Sequence, residues 1–319
     1  MKEDILLAML TKADDYISGE DISQRLGVTR AAVWKYIEDL RRSGYVIEAL
    51  PRRGYRLVAR PDKLLPTEIR AGLTTDRFGH VVHYFPQIGS TNDQARQLAR
   101  QGAAEGTIVV AEEQTAGRGR RGRAWVSQPG SGIFVSLILR PNLIPAQAPL
   151  LTLTAAVAGA EAIRQLTGLP AVIKWPNDLY VDGRKVAGIL TEMSSEMDTI
   201  FYVVVGIGIN VNTSSFPTEV SASATSLALE QGRSVCRRQL LQLLLEKLEY
   251  WYQILSADQD QILERWRQLT ITLGKRVSVY SPNFTVHGLA LDIDHEGALL
   301  LETETGEKVK IFSGDVSLR

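Results

Sequence analysis

The chain has 319 residues, of which 45% are hydrophobic and 23% charged, a composition typical of a soluble globular protein with two or three domains. The formal net charge is zero, but residues 29–60 contain eight Lys or Arg against three acids, so a positive face is expected near the N-terminus. The single Cys236 excludes an internal disulfide.

No targeting segment is apparent. The charged start MKEDILLAMLTKADD lacks the basic-then-apolar build of a secretory signal. The longest apolar stretch, around residues 148–162, is too short and too rich in Ala and Thr for a good membrane span. We therefore expect a cytoplasmic protein with no membrane partner.

The first sixty residues have the pattern of three short helices and a hairpin. A second helix over 21–26 is stopped by Gly27, and a third begins after Thr29 and ends at Gly44. Two short strands, 45–50 and 55–58, flank the basic turn PRRG. This order predicts a winged helix-turn-helix, and the segment RPDKLLP at 60–66 is predicted to be a linker.

A recognition helix followed by a charged hairpin suits DNA, because base edges in the major groove admit a helix and phosphates need cations. Small three-helix units also serve as dimerisation or docking modules, and this alternative stays open. The candidates for DNA contact are Thr29, Arg30, Trp34, Lys35, Arg52 and Arg53.

The pattern from about residue 65 to residue 270 is mixed α/β. The segment 146–166 is apolar nearly all round, which predicts a buried helix, and Asp182-Gly183 predicts a hairpin turn. Further helices are predicted at 93–101, 238–255 and 258–268, and strands at 81–85, 108–112, 133–139, 171–175, 179–181, 185–193 and 199–211.

The last fifty residues alternate in short runs separated by turn residues, which predicts a small β-barrel. The predicted strands are 276–280, 285–294, 298–302 and 308–312, separated by turns at 281–283, 295–297 and 305–306.

The loop GRGRRGRAW at 117–125 has the composition of a phosphate-binding loop, because glycine allows close backbone approach and arginine supplies planar donors. It also matches G-x-G-x-x-G, but no helix opens after it, so a dinucleotide-binding fold is rejected. A solvated basic loop remains the alternative.

Five motifs in order carry a resemblance to a known family: STN at 90–92, GRGRRGRAW at 117–125, KWPND at 174–178, RKVAGIL at 184–190 and GIGIN at 206–210. Together they resemble the biotin protein ligases. With the N-terminal helix-turn-helix, the chain resembles the bifunctional bacterial form that also represses the biotin operon.

The resemblance implies the fold and the reaction. An α+β multidomain chain is expected: a winged helix-turn-helix at 1–62, a catalytic domain with a mixed sheet and helices at 63–271, and an SH3-like barrel at 272–319. Biotin and MgATP form biotinyl-5′-AMP, which is both intermediate and corepressor. The expected partners are the biotin carboxyl carrier protein of acetyl-CoA carboxylase, operator DNA, and a second copy of the chain when the adenylate is bound.

The resemblance also assigns the biotin site. Ser90, Thr91, Asn92 and Gln114 are expected at the polar head group, although the first three are also preferred helix caps. Arg118, Gly119, Arg120 and Lys185 are expected at the biotin carboxylate, where cations offset its repulsion from polyphosphate. Alone, Lys185 reads as a solvated lysine at a strand end.

The remaining candidates concern the nucleotide and the second step. Asp178 is expected to orient or deprotonate the incoming lysine, although an Asn-Asp pair is also common turn chemistry. Trp125 is expected to shield the adenine, unless it is a core residue. The nucleotide candidates are Arg120, Arg121, Trp125, Lys174, Asn177 and Asn210. No metal site of protein side chains is expected, since Mg²⁺ comes with ATP.

Two other functions fit parts of the sequence. A winged-helix transcription factor could use the α/β region only to sense a small ligand. A lipoate-type ligase would share the fold, although the arginine-rich loop and KWPND favour biotin.

Overall fold

The computed structural model describes residues 2–10, 15–281 and 284–318. The chain divides into two compact units, Met1–Gly72 and Leu73–Arg319.

The first unit contains the predicted helix-turn-helix and the hairpin that follows it. Its elements are α1 (Lys2–Leu10), α2 (Gly19–Leu26), α3 (Arg30–Arg42), β1 (Val46–Leu50), β2 (Gly54–Ala59) and α4 (Pro66–Arg70).

Local capping explains where α2 begins and ends and where α3 begins. The Ser18 hydroxyl accepts from the Asp21 amide at 2.9 Å, and Gly27 ends α2 in the left-handed region. The predicted cap of α3 is confirmed, because the Thr29 hydroxyl accepts from the Ala32 amide at 3.2 Å. The predicted face of Val33, Ile37 and Leu40 is buried in the core of this unit.

The prediction of a linker at 60–66 differs from the structure. Leu64 is fully buried, and α4 follows at once. Glu68 on α4 is also fully buried and accepts from the Tyr45 hydroxyl at 2.9 Å and from Arg60 Nε at 2.7 Å. Arg60 and Glu68 therefore tie this segment into the first unit, which extends to Gly72.

The second unit is built on a mixed seven-stranded sheet in the described residues. Strands β3 and β4 pair in parallel, and the other neighbours are antiparallel, in the order β3-β4-β5-β9-β8-β7-β6. Asp182 and Gly183 both have positive φ, as the predicted hairpin turn requires. The strands are β3 (Val82–Phe85), β4 (Ile108–Ala111), β5 (Gly132–Leu139), β6 (Val172–Lys174), β7 (Asp178–Val181), β8 (Arg184–Glu196) and β9 (Thr199–Asn210).

Helices pack on this sheet. The apolar segment Pro145–Thr167 is long enough to cross a membrane, contrary to the sequence-based expectation, but 72% of its most apolar window is buried inside the protein, as in the core helix of a soluble fold. The helices are α5 (Thr91–Arg100), α6 (Pro149–Thr167), α7 (Thr218–Ser221), α8 (Leu227–Gln231), α9 (Arg237–Ala257) and α10 (Gln259–Leu269).

The end of the second unit is a five-stranded antiparallel sheet in the described residues, ordered β13-β12-β11-β10-β14. Four strands were predicted, and the short fifth strand after Gly314 was missed. Part of the predicted turn at 281–283, Pro282 and Asn283, lies outside the described residues. The strands are β10 (Arg276–Ser281), β11 (Phe284–Ile293), β12 (Leu299–Thr303), β13 (Lys308–Ile311) and β14 (Asp315–Leu318).

Candidate functional site

A cavity of about 340 Å³ in the second unit brings together residues from all five motifs. Its walls come from the loop at 117–125, the segment 174–178, and strands β8 and β9. The predicted site residues that line it are Ser90, Thr91, Asn92, Gln114, Arg118, Gly119, Arg120, Trp125, Lys174, Asn177, Asp178, Lys185 and Asn210.

One end of the cavity is polar and uncharged. The Thr91 amide and hydroxyl both donate to Gln114 Oε1, at 2.8 and 2.9 Å. Because the carbonyl oxygen of Gln114 is held in this way, its amide hydrogens are left as donors for a ligand. Such a wall suits a small neutral group with both acceptors and donors.

The start of α5 is not capped by a side chain, contrary to the sequence-based expectation. Ser90 occupies the N-cap position, yet among the described residues its hydroxyl makes no capping bond. Thr91 bonds Gln114, and the Asn92 amide nitrogen donates to Glu192 Oε2 at 2.8 Å. The three side chains are therefore arranged around the cavity rather than around the helix end.

The arginine loop is a closed turn. The Gly119 amide donates to Arg123 O at 2.7 Å, and the Trp125 amide donates to Gly117 O at 2.9 Å. Arg121 has a φ of 56° at the tip, a left-handed conformation that is unusual for a residue with a side chain.

Three of the four arginines of this loop, Arg120, Arg121 and Arg123, contact residues 314–315, and Arg118 contacts α5. Arg118 pairs with Asp93 at 2.5 Å, and Arg120 donates to Asn177 Oδ1 at 3.3 Å and to Gly314 O at 3.1 Å. Burial lowers the pKa of the Arg120 guanidinium. Arg120 is thus the loop arginine that reaches furthest into the interior.

Arg121 is a predicted nucleotide residue that the structure does not bring into the cavity. Its guanidinium donates to Tyr280 O at 2.7 Å and pairs with Asp315 at 3.1 Å. Arg123 pairs with the same carboxylate at 2.5 Å. The left-handed tip turns Arg121 toward the C-terminal strands, which sequence spacing alone does not reveal.

Trp125 lies against the two glycine-bearing strands. A Cβ on Gly208 would be 2.6 Å from Trp125 Cε2, and one on Gly188 would be 2.9 Å from Trp125 Cζ3. The Lys185 ammonium lies 5.5 Å from the indole centroid. Glycine at both positions therefore leaves room for the indole ring.

The other end of the cavity is charged. Lys185 Nζ lies 2.6 Å from Asp178 Oδ1, and Lys174 Nζ donates to the Tyr180 hydroxyl at 3.3 Å. Burial lowers the pKa of Lys174, with Asp178 acting in the opposite direction. Burial, reinforced by Asp178, raises the pKa of Tyr180 to about 12. Two lysines and one carboxylate therefore meet in this part of the cavity.

Asn177 and Asn210 also stabilise neighbouring backbone. Asn177 Nδ2 donates to Ile189 O at 2.7 Å, and Asn210 Nδ2 donates to Thr225 O at 3.1 Å. Their amide hydrogens fix the two strands that carry Lys185 and the glycines.

Sequence reasoning missed the segment that follows β9. Phe216, Val220, Ser223 and Ala224 line the cavity, and so do Asp315 and Val316 from the C-terminal strands. The run SSFPTEVSASA has no apolar periodicity, so only the isolated Phe216 signalled a contact.

In the first unit, the six DNA candidates are all exposed. Trp34 is 59% exposed, although tryptophan carries a large apolar surface. The Arg53 guanidinium stacks 4.6 Å from the Tyr16 ring centroid. Among the basic residues of this unit, local acidic partners are present for the candidate Arg30, which lies 3.8 Å from Glu20, and for Arg41, Arg42, Arg56 and Arg60, which pair with Glu38, Asp39, Glu48 and Glu68.

No metal centre of side chains stands out in the part of the chain that the structure describes. There, no group of three or more His, Cys, Asp or Glu residues is placed to hold an ion.

Three family models match the sequence. The biotin/lipoate A/B protein ligase family matches residues 84–210. An HTH domain matches residues 3–56, and the biotin protein ligase C terminal domain matches residues 272–319.

Full-length relatives are similar throughout. The bifunctional ligase/repressor BirA of Bacillus spizizenii is 44% identical over 321 residues, covering 100% of this chain and 98% of that protein. BirA of Escherichia coli is 33% identical, covering 98% and 96%. Among solved structures, the Aquifex aeolicus biotin protein ligase in complex with biotin and ATP has a TM-score of 0.66 and 30% identity, covering 75% of this chain and 99% of that one.

Proposed function

The chain belongs to the biotin protein ligase family in its bifunctional ligase/repressor form, and from this premise we propose the reaction and the roles of its residues. The protein joins biotin and ATP to form biotinyl-5′-AMP and transfers the biotin to a lysine of a biotin carboxyl carrier protein of acetyl-CoA carboxylase. With the adenylate bound, it binds operator DNA and represses biotin synthesis.

The observation that carries this proposal is the two-ended cavity. Biotin has a neutral ureido ring at one end and a carboxylate at the other, and the cavity is neutral and polar near Gln114 and cationic near Lys185. Ser90, Thr91, Asn92 and Gln114 take the ureido ring.

In the first step, a carboxylate oxygen of biotin bonds to the α-phosphorus of ATP as the bond to pyrophosphate breaks. The attacking group is already an anion, so the step requires charge neutralisation rather than a base. Lys185, Arg118 and Arg120 stabilise the negative charge that gathers between the reactants, with the Gly119 backbone close by. Mg²⁺ accompanies ATP.

In the second step, the carrier's lysine nitrogen attacks the acyl carbon, AMP leaves and the amine loses a proton. Asp178 orients or deprotonates this amine. The Asp178 carboxylate lies 2.6 Å from Lys185 Nζ. The ammonium group of the carrier's lysine therefore competes with Lys185 for this carboxylate.

The nucleotide lies toward Lys174, Asn177 and Asn210, with Arg121 joining it only if the loop moves. Trp125 shields the adenine, and Phe216 and Val220, which also line the cavity, add apolar cover. Excluding water protects the reactive mixed anhydride from hydrolysis.

Repression uses the first unit as a winged helix-turn-helix. Helix α3 enters the major groove and presents Thr29, Arg30, Trp34 and Lys35, and the hairpin brings Arg52 and Arg53 to flanking phosphates. The exposure of all six side chains supports this role. The adenylate-bound protein acts as a homodimer.

The functional division proposed is 1–62, 63–271 and 272–319, although α4 packs with the first compact unit, which extends to Gly72. The C-terminal strands form an SH3-like barrel, in keeping with their five-stranded antiparallel order. The protein works in the cytoplasm.

The proposal is tested by incubating the purified protein with biotin and MgATP and identifying the product by mass spectrometry. Biotinyl-5′-AMP is expected, followed by biotin on the lysine of an added carrier domain. A protein that binds biotin and DNA without forming the adenylate is a ligand-sensing repressor instead. Preference for lipoate over biotin identifies a lipoate-type ligase.

A further inference from the structure

Two polar side chains outside the cavity lining, Ser136 and Glu192, hold Asn92 at the neutral end of the cavity. The first is Ser136, in the middle of β5, where all eight residues are buried. Its hydroxyl donates to Asn92 Oδ1 at 2.6 Å and lies 2.8 Å from Thr91 Oγ1. Burying a hydroxyl has a desolvation cost that alanine would avoid, and the two contacts of Ser136 offset this cost.

The second is Glu192 on β8. Its Oε2 accepts from Asn92 Nδ2 at 2.8 Å, and the same nitrogen also donates to Leu190 O at 3.3 Å. Glu192 Oε1 in turn accepts from Arg96 at 3.1 Å, which fixes the carboxylate from its other side. Both amide hydrogens of Asn92 are therefore committed to the protein.

The strand beneath removes the remaining freedom of Asn92. A Cβ on Gly206 would be 2.1 Å from Asn92 Oδ1, so the amide lies flat on the glycine of β9. With Ser136 on its oxygen, Glu192 on its nitrogen and Gly206 beneath, Asn92 has a single orientation.

We infer that Glu192 and Ser136 are positioning residues for ligand recognition at the neutral end of the cavity, an inference that rests on the proposed function. An anion that accepts from an amide nitrogen pushes electron density toward the amide oxygen and strengthens it as an acceptor. Glu192 thus tunes Asn92 Oδ1 to accept an N–H of the ureido ring, and Ser136 keeps that oxygen and Thr91 at the cavity wall.

Calorimetric titration of the full chain with biotin tests this role. Glu192→Gln keeps the shape and removes the charge, and it is expected to weaken biotin binding about tenfold while the KM for ATP stays unchanged. Glu196→Gln, at an exposed position on the same strand, is the matched control. Ser136→Ala provides an independent second variant with the same expected selectivity for biotin.

A double-mutant cycle separates positioning from general destabilisation. Because Glu192 acts through Asn92, Glu192→Gln should add little to the loss caused by Asn92→Ala. The inference is overturned if the losses of biotin binding free energy from Glu192→Gln and Asn92→Ala add up in the double variant. It is also overturned if Glu192→Gln and Ser136→Ala both bind biotin like the wild type. Either result leaves the proposed function intact. A wild-type protein that binds no biotin contradicts the proposed function itself, and this inference with it.

Discussion

Burial sets the properties of the residues at the charged end of the cavity. Lys174 and Tyr180 lie side by side, 3.3 Å apart, and desolvation disfavours the charged form of each. The pKa of the lysine is therefore lowered and that of the phenol raised. Asp178 raises the pKa of both groups, so it counteracts the effect of burial on Lys174 and reinforces it on Tyr180. The same carboxylate therefore favours the protonated form of both neighbours.

Tyr180→Phe tests this arrangement by alkaline titration of phenol absorbance. The pKa of Tyr180 is raised from an ordinary value of 10.0 to about 12, so the folded protein keeps this proton at a pH where the unfolded chain has lost it. The stability that Tyr180 contributes below pH 10 therefore falls as the pH rises toward 12. The titration of the wild type minus that of the variant should show one phenol ionising near pH 12.

The exposed Tyr250, replaced by Phe, controls for the loss of one phenol from the total. If the phenol missing from the Tyr180 variant is one that ionises at its ordinary value, Tyr180 is solvated and the packing described for it is incorrect.

Residue types at the site were predictable from sequence, but their contacts were not. The family resemblance named Ser90, Gln114 and Lys185, and all three line the cavity. Ser136 and Glu192 belong to ordinary strand patterns, because a residue that acts through another leaves no motif of its own. Arg121 is the opposite case, a motif residue that does not line the cavity, because its left-handed φ turns the side chain toward the C-terminal strands.

At the scale of elements, the arginine loop is tied to the C-terminal strands. Arg121 and Arg123 share the Asp315 carboxylate, and Arg120 donates to the neighbouring Gly314 O. A loop rich in glycine gains order from such contacts, because its backbone has more freedom to lose than that of other segments.

Asp315→Asn should loosen this loop. Exposed ion pairs contribute about 0.2–1 kcal/mol each, so losing two is expected to raise the rate of tryptic cleavage within residues 117–125 about fivefold in the protein without ligands. Glu304→Gln, at an exposed acid in the turn between β12 and β13, is the matched control and should cleave like the wild type.

Cleavage of the Asp315 variant at the wild-type rate means that the turn's own hydrogen bonds hold the loop. These bonds run from the Gly119 amide to Arg123 O and from the Trp125 amide to Gly117 O.

The elements themselves were largely predictable, and their residue types decide which ones were missed. Long segments such as α6 and β9 have a clear period or an unbroken apolar run, so their existence follows from sequence. The short strand β4 was predicted because it is a run of β-branched residues, whereas helix α7 and strand β14, also of four residues, have only one or two large apolar residues each. The pairing order of the strands depends on distant contacts that local patterns do not encode.

At the scale of the whole molecule, the two compact units divide the proposed functions between them. The exposed basic side chains of the hairpin belong to the first unit, and the cavity belongs to the second. The excess of positive charge at residues 29–60 predicted that DNA binding belongs to the first unit, although the net charge of the whole chain is zero.

Arg53→Ala separates the two functions. If Arg53 contacts one phosphate, its loss should weaken DNA binding for all sequences alike and reduce the slope of log K against log salt by about 0.9. Adenylation should be unchanged. Arg233→Ala removes an exposed arginine outside the first unit and is the control. An unaltered salt slope for the Arg53 variant places the hairpin away from the DNA backbone.

Biotin-dependent exchange of labelled pyrophosphate into ATP measures adenylation directly, and Lys185 is the residue on which it should depend most. Removing a preorganised donor from developing charge costs about 3 kcal/mol, so Lys185→Ala should reduce the exchange at least a hundredfold. Lys308→Ala, at an exposed lysine of the second unit, should exchange like the wild type. Exchange that proceeds without biotin, or at the wild-type rate in the Lys185 variant, contradicts the assignment of this cavity as the place where biotin is activated.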